Sequence, residues 1–416
     1  MPHKTDKEIL GYSRWVVLIA AFLAMALVSP YEYAWSSISP IIAEANGWSL
    51  DQMGFVFTLF IVFQSGASFP TGFLRDRYGP RILTIIGGVL AGLGVYSLTF
   101  GSLPFLALIY GIIGSFGAGI IYSNTVNTGN KWFPDKRGLS TGLIAGAFSW
   151  GAIPFIFWIR RSATIHNYET ILTSMSIIVG LIIVVCGYLM RDPPVGWRPK
   201  DWSPDDRKHG KRPSEHQYSL KETVKTWQFW VLYGSFFLIS GAGLMTIAKI
   251  VEYSEHLGFI STVGTVAAAG LSITNGAGRI VVGRISDRFG RERTMIGSFI
   301  LTGIFLLIMS QTNNSILFLI SVMTALFFWG PLFALFPAIT GHYYGEKNAA
   351  GNYGLLYSAK MAGGFYGGYV AAVLMSGYGF RFTFTVGGVM AIVAGLMIYL
   401  PKYKPPRKKK DNHSPR

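Results

Sequence analysis

Long apolar stretches dominate this chain, and their number and length constrain its fold more than any other feature. A bilayer core of about 30 Å is crossed by about 20 apolar residues in a helix. Only 13% of the 416 residues are charged, whereas a soluble protein carries about 25%. The pattern predicts an all-α membrane protein with twelve transmembrane helices. We place these helices at residues 14–38, 52–74, 82–101, 104–126, 139–159, 169–190, 227–250, 262–284, 294–311, 315–340, 350–375 and 379–400.

A polar segment divides the predicted helices into two sets of six. Residues 191–226 are rich in Pro, Lys, Arg and Asp and contain no apolar run that could span a bilayer. We therefore predict an N-terminal six-helix bundle at 1–190 and a cytoplasmic linker at 191–226. A C-terminal six-helix bundle follows at 227–402, and a basic cytoplasmic tail at 403–416.

The two sets carry the same motif at the same relative position. The segment 72-GFLRDRYGPR-81 follows the second predicted helix, and 283-GRISDRFGRER-293 follows the eighth. Asp76 recurs as Asp287, 211 positions later, and the flanking arginine and glycines recur at the same offset. The chain is thus predicted to consist of two pseudo-symmetric bundles, with a substrate site between them near mid-bilayer.

The repeated motif is a candidate latch between the two bundles. An aspartate there can accept hydrogen bonds from nearby arginines or from a helix N-terminus, where the helix dipole favours an anion. Such a cluster would hold the bundles together in one access state and release them in the other. The alternative is a solvated turn that only sets topology. The latch prediction comprises Asp76, Arg77, Asp287 and Arg288.

The net charge of +16 is explained by membrane topology rather than by nucleic-acid binding. The positive residues lie in short connectors between apolar runs and in the tail, not along one amphipathic face. Basic connectors are typical of cytoplasmic loops, and a basic tail can contact anionic lipids. We predict a multi-pass protein of the inner (plasma) membrane, with both termini cytoplasmic, no nucleic-acid partner and a monomeric state.

These features together resemble a known family. The doubled motif, the six-plus-six plan and the central linker resemble the major facilitator superfamily. The segments 129-GNKWFPDKRGL-139, 227-WQFWVL-232, 334-ALFPA-338 and 357-YSAK-360 resemble its oxalate:formate antiporter family, and related monocarboxylate transporters share part of this match. The resemblance implies transport by alternating access, with small carboxylate anions as substrates.

Two basic residues fall inside predicted transmembrane helices. An ionisable residue at that depth costs several kcal/mol and is a functional candidate by default. Arg279 lies about 12 Å inward from Asp287, and Lys360 lies about 15 Å into the eleventh helix, at 1.5 Å per residue. Arginine can bind a carboxylate bidentately and lysine supplies a mobile point charge.

Neither of these helices carries an acidic residue at that depth. We therefore predict that Arg279 and Lys360 together bind an anion, either through two carboxylates or through one carboxylate and a neighbouring oxygen. In the alternative, each cation pairs with a protein carboxylate or extends outward to the membrane interface.

Position along the helix adds one polar candidate to this site, and the family resemblance adds aromatic ones. Asn275, one helical turn before Arg279, is a candidate neutral donor, with packing between helices as its alternative. The aromatic candidates could also be ordinary packing residues or members of an interfacial belt. The resemblance implies cavity positions for Tyr33, Tyr122, Trp329 and Tyr357.

The chain departs from the family pattern at several of these positions. Glu32 stands where the family has a neutral amide, Phe148 and Phe333 stand where it has tyrosines, and Tyr357 replaces a tryptophan. Fewer hydroxyls and an added acid argue against assuming that oxalate itself is the substrate.

Glu32 and Lys249 form a second charged set. By their positions along the first and seventh predicted helices, both are expected in the outer part of the membrane. We predict that they form an ion pair in an outer gate. Alternatively, Glu32 takes up a proton and couples it to anion uptake, or both side chains reach lipid headgroups.

The sequence therefore predicts a secondary active transporter of small carboxylate anions that works by oxalate/formate-type exchange. The alternative is a proton-coupled monocarboxylate symporter, for example of lactate, with Glu32 as the proton carrier. We find no nucleophile with an adjacent base and no metal-ligand spacing, so no enzyme activity, metal or cofactor is expected. The sequence leaves open the carboxylate, the coupling mode and the direction of flux.

Overall fold

Helices account for almost the whole backbone of the computed structural model, which describes residues 5–194, 197–199, 217–345 and 348–400. No strand occurs within these ranges. Nine helices in the described residues are long and apolar enough to cross a membrane. Leu50–Gly66 is an additional apolar helix of slightly shorter length. The chain is thus an all-α, multi-pass membrane protein, as predicted.

The N-terminal half contains α1 to α6, several of which are interrupted by kinks. Their bounds are α1 (Arg14–Val28, Pro30–Tyr33 and Trp35–Asn46), α2 (Leu50–Gly66, extended by the first part of Ser68–Ser97), α3 (the part of Ser68–Ser97 after Gly79), α4 (Leu103–Leu108, a π-helical turn at Ile109–Gly114, and Ser115–Trp132), α5 (Arg137–Trp150 and Ile153–Ser162) and α6 (Tyr168–Leu189).

The C-terminal half repeats this order with α7 to α12. Their bounds are α7 (Trp227–His256), α8 (Ser261–Phe289), α9 (Arg291–Gln311), α10 (Ser315–Trp329 and Leu332–Tyr344), α11 (Ala349–Tyr357, Ala359–Phe365, a π-helical turn at Tyr366–Val370, and Ala371–Tyr378) and α12 (Phe380–Met397). A one-turn helix with a capping box precedes each half, at Asp6–Leu10 and Leu220–Thr223.

The repeated motif has the same backbone break in both halves. Gly79 has φ 75° and Gly290 has φ 90°, a region that glycine enters without steric cost. Each glycine ends one helix and starts the next, so the motif makes the tight turn between α2 and α3 and between α8 and α9. We call the end of the bundle that carries these two turns the basic end.

The two halves contact each other from mid-height to the opposite end of the bundle. Arg160 of α5 lies 2.7 Å from Glu255 of α7 and 2.7 Å from the hydroxyl of Ser261. Asp51 of α2 accepts a hydrogen bond of 2.8 Å from Ser376 of α11. These contacts hold the halves together at the end remote from the glycine turns.

Helices α2 and α11 approach each other most closely at two glycines. A Cβ atom placed on Gly54 would lie 2.7 Å from the carbonyl oxygen of Gly368 and 2.7 Å from the Cβ of Ala372. The absence of a side chain therefore permits backbone-to-backbone contact between the halves, as small residues do elsewhere in membrane helix packing.

At the basic end, the described ion pairs stay within the N-terminal half and the start of the segment that follows it. Arg14 binds Asp135 through two hydrogen bonds of 2.7 and 2.8 Å. Lys131 lies 2.6 Å from Asp192, which also pairs with Arg75. These bonds stabilise the N-terminal half and do not connect it to the C-terminal half.

The structure changes the predicted depth of one charged residue. The first helix was expected to end near residue 38, which put Glu32 in its outer part. Helix α1 instead continues to Asn46, and a kink at Pro30 introduces the one-turn segment that carries Glu32. Glu32 therefore lies near the middle of α1.

Parts of the predicted linker and tail fall outside the described residues. Within the linker 191–226, residues 195–196 and 200–216 are not described, and neither is the predicted tail 403–416. The described parts pack on the bundle: Trp197 contacts Trp132 at 4.8 Å between ring centroids, and the Tyr218 amide donates to Tyr344.

Candidate functional site

Arg279 lies buried at the interface between the two halves. Its Nη1 donates to the carbonyl oxygen of Ala145 on α5 at 2.8 Å, and its Nη2 donates to the hydroxyl of Tyr33 on α1 at 3.2 Å. The side chain is 5% exposed, and its Nε has no hydrogen-bond partner. Within the described chain, no carboxylate pairs with this guanidinium. Arg279 thus carries a buried positive charge that is bonded only to neutral oxygens.

Lys360 has a different environment, because it already has a carboxylate partner. Its Nζ lies 3.1 Å from Oε2 of Glu32 on α1 and 3.4 Å from the amide oxygen of Gln64 on α2. The side chains of Lys360 and Glu32 are 1% and 0% exposed. The expectation that no protein acid lies beside Lys360 is therefore wrong. The carboxylate belongs to α1 in the other half of the molecule, so the sequences of α8 and α11 alone do not reveal it.

The predicted ion pair between Glu32 and Lys249 is also wrong. Lys249 pairs with Glu252, one turn further along α7, at 3.1 Å, and Glu252 accepts a hydrogen bond from Ser39 of α1. The longer α1 explains the difference, since it brings Glu32 to the depth of Lys360 and leaves Lys249 nearer the opposite end. The contact between α1 and α7 is instead made by Ser39 and Glu252.

Phe333 of α10 lies between the two buried cations. Its ring centroid is 4.9 Å from the guanidinium carbon of Arg279 and 5.3 Å from Nζ of Lys360. Both distances are within the range of favourable cation–π contact. The two cations therefore contact the same ring and belong to one charged cluster.

The predicted aromatic residues surround this cluster in two layers. The hydroxyl of Tyr33 accepts a hydrogen bond from Arg279, and the ring centroid of Tyr357 lies 6.0 Å from Nζ of Lys360. Tyr122 packs on Phe148 at 5.2 Å between ring centroids, and Phe148 in turn packs on Tyr33. Trp329 is fully buried behind the ring of Phe333, at 5.4 Å between centroids, and its indole NH donates to the carbonyl of Ile239. Tyr33 and Tyr357 thus border the charged cluster, whereas Trp329 supports Phe333 from behind.

Asn275 connects the site to the N-terminal half. Its Oδ1 accepts hydrogen bonds from Ser149 of α5 at 2.6 Å and from Tyr33 at 3.2 Å. Its Nδ2 is buried without a hydrogen-bond partner. The amide nitrogen is therefore a buried neutral donor without a partner, one turn from Arg279.

Sequence reasoning missed three contributors to the cluster. Gln64 is an amide deep in an apolar helix, whereas the other amide, Gln52, lies in the capping box at the helix start, and that position was a usable signal. Ser149 is the repeat partner of Lys360 at the offset of 211, although its bond to Asn275 could not be anticipated. The carbonyl of Ala145 has no sequence signal, because any residue would supply one.

Among the described residues, Arg77, Asp287 and Arg288 of the predicted latch make no hydrogen bond or ion pair between the halves in this conformation. Arg77 and Arg288 are exposed and lie over the rings of their neighbours Tyr78 and Phe289, and Asp287 is exposed. The side chain of Asp76 lies outside the described part of the structure. The latch therefore stays a prediction for another access state.

Comparisons with known proteins agree with this architecture. The model of the Major Facilitator Superfamily matches residues 14–259 and 234–415. The oxalate:formate antiporter of Oxalobacter formigenes is 30% identical over 98% of this chain and 96% of its own length. Monocarboxylate transporter 13 of Rattus norvegicus is 25% identical over 46% of this chain and 44% of its own.

The fold also matches a solved transporter. A bacterial homologue of the human lysosomal transporter Spinster, in an inward-facing and unoccupied conformation, superimposes with a TM-score of 0.73 at 14% identity. The match covers 94% of this chain and 97% of the other. At that identity, the likeness supports the fold rather than a shared substrate.

Proposed function

Because this chain belongs to the Major Facilitator Superfamily, we propose that it carries small carboxylate anions across the membrane by alternating access, with Arg279 as the anion's anchor. The family and the relatives make it a transporter rather than an enzyme. The observation that carries the proposal is the buried guanidinium of Arg279, which is bonded only to neutral oxygens. A carboxylate would replace these neutral acceptors with an oppositely charged one that can bind the guanidinium through two parallel hydrogen bonds.

The position of Arg279 couples anion binding to movement of the halves. Arg279 belongs to α8, and both of its acceptors belong to the N-terminal half. An arriving carboxylate competes with Tyr33 and the Ala145 carbonyl for the same donors. Binding therefore exchanges direct bonds between the halves for bonds through the substrate, which lets the halves move about it.

The direction of opening follows from the basic end. Positively charged connectors favour the cytoplasmic side of a membrane. We therefore place the protein in the inner membrane with its basic end and both termini in the cytoplasm. The contacts between halves concentrate at the other end. We accordingly assign this conformation to the state that opens toward the cytoplasm.

Two coupling modes fit this site. Exchange of one carboxylate for another, as in oxalate:formate antiport, requires that the empty site resist the change of access. Proton-coupled symport is the second candidate, and the buried pair of Glu32 with Lys360 favours it. Protonation of Glu32 would free Lys360 to attract the anion, so one proton would travel with each negative charge.

The test of the anchor is uptake by purified protein in proteoliposomes. We expect Arg279→Ala to abolish carboxylate uptake, and Arg279→Lys to restore little of it, because lysine lacks the planar fork. Arg284→Ala is the matched control, since Arg284 lies exposed on the same helix. Full uptake by correctly inserted Arg279→Ala protein would overturn the proposal.

The same preparation separates the coupling modes. Uptake that depends strictly on an internal carboxylate indicates exchange. Uptake driven by an inward proton gradient alone, and lost in Glu32→Gln, indicates symport. A thermal-shift panel of C1–C6 carboxylates first finds the ligands, because a molecule that binds the folded state raises its apparent stability.

A further inference from the structure

We infer that Glu32 makes this a site for singly charged carboxylates, because it occupies the side of Lys360 that a second substrate carboxylate would need. The inference rests on the proposed function and concerns the same site. It assigns Glu32 as the residue that sets the charge of the substrate.

The first step is the occupancy of Lys360. Its ammonium lies 3.1 Å from Glu32 and 3.4 Å from Gln64, with the ring of Phe333 on a further side. A second carboxylate could reach Lys360 only by displacing Glu32. That would leave a carboxylate with 0% exposure unpaired in the interior, which is a strongly unfavourable state.

The second step is the charge of the cluster. Arg279 and Lys360 each contribute one positive charge and Glu32 contributes one negative charge, so one positive charge remains. A monocarboxylate neutralises that charge. A dicarboxylate places two negative charges near Glu32 in a medium of low dielectric constant, where like charges repel more strongly than in water.

The third step concerns polar atoms that lack partners. Nε of Arg279 and Nδ2 of Asn275 are buried donors without acceptors, and Oε1 of Glu32 is a buried acceptor without a donor. Buried polar groups in folded proteins are normally satisfied. A carboxylate satisfies the donors, and a hydroxyl group on the same small molecule satisfies Glu32. The site therefore fits a short hydroxy monocarboxylate best.

Three two-carbon acids separate charge from hydrogen bonding. Glycolate carries one charge and a hydroxyl, acetate carries one charge without the hydroxyl, and oxalate carries two charges at neutral pH. We expect the unmodified protein to bind glycolate more tightly than acetate, and to bind oxalate at least about tenfold more weakly than glycolate, a difference of about 1.4 kcal/mol.

Glu32→Gln should remove the preference for the singly charged acid. The amide retains a hydrogen-bonding group of similar size and removes the negative charge, so oxalate should gain at least about tenfold over glycolate. Glu252→Gln is the matched control, because Glu252 also pairs with a buried lysine, Lys249 at 3.1 Å, but lies away from Arg279. This control variant should show the same ratio of oxalate to glycolate affinity as the unmodified protein.

The outcomes distinguish this inference from the proposed function. Stronger binding of oxalate than glycolate by the unmodified protein overturns the inference without any variant. An unchanged ratio in folded Glu32→Gln protein also overturns it, while loss of carboxylate binding in Arg279→Ala still supports the proposed function. If no carboxylate binds and Arg279→Ala changes nothing, the proposed function fails as well.

Discussion

The buried pair of Glu32 and Lys360 makes a quantitative prediction about stability. Both side chains are essentially inaccessible, and they come from different halves of the molecule. The perturbation is a double-mutant cycle of Lys360→Met, Glu32→Gln and the two together. Each single change leaves one buried charge without its partner, whereas the double change removes both charges.

The magnitude follows from the burial. Removing one partner of a buried ion pair costs about 3–5 kcal/mol, whereas replacing both with uncharged residues of similar size is often neutral. The loss of stability in Glu32→Gln should lie at the lower end of this range, because Lys360 keeps Gln64 and Phe333 as neighbours. At about 2 °C per kcal/mol for a large chain, the single variants should unfold about 6–10 °C lower.

The assay is thermal unfolding of purified protein in one detergent, followed by tryptophan fluorescence. The double variant should unfold close to the unmodified protein. The coupling energy, which is the sum of the two single losses minus the loss of the double variant, should then be about 6 kcal/mol or more. Lys131→Met is the control, since Lys131 is 46% exposed in its pair with Asp192 and a surface pair contributes about 1 kcal/mol or less. Additive losses in the double variant would refute the buried pair.

Two further predictions concern contacts outside the site. Arg160→Gln removes the bridge from α5 to Glu255 and Ser261 at the end of the bundle opposite the basic end. A partly exposed pair contributes about 0.5–1 kcal/mol, so the population in which the two halves are separated at that end should grow about two- to fivefold. Spin labels at residues 48 and 257 would measure this population, and an unchanged distance distribution would contradict the prediction. Burial raises the pKa of Asp135, but the hydrogen bonds and charge of Arg14 outweigh it, so the pKa of that carboxyl is lowered. Its stabilising contribution is therefore present above about pH 4 and lost as the pH falls through the lowered value. The stability difference between the natural protein and Asp135→Asn should then disappear only in acid, and a difference that disappears near neutral pH would count against the pair.

The helical, multi-pass fold could be predicted because the bilayer imposes a length on every apolar run. The doubled glycine motif also predicted the pseudo-symmetry, and Gly79 and Gly290 make the same turn in both halves. The kinks in the helices were harder to predict from the sequence. Pro30 lies inside an apolar run, and only the structure shows that α1 continues to Asn46 beyond it.

The extension of α1 to Asn46 explains which part of the site prediction was wrong. Arg279 and Lys360 could be chosen from the sequence, because a basic residue at mid-membrane depth is rare. The partner of Lys360 could not be chosen, since pairing between halves depends on the depth and rotation of α1. An error of eight residues in one helix end moved Glu32 from the outer part of the membrane to the centre.

The glycine contact between α2 and α11 has a mechanical consequence. Gly54 and Gly368 bring the two backbones into direct contact, with only the small side chains of Thr58 and Ala372 beside them, so the two helices can pivot there without separating large side chains. From this fulcrum, each helix extends about 30 Å to the basic end at 1.5 Å per residue. A tilt of about 10° acting on such a lever displaces its tip by about 5 Å. A bulky residue at position 54 would therefore block this pivoting motion, even though it lies outside the charged cluster of Arg279, Lys360 and Glu32.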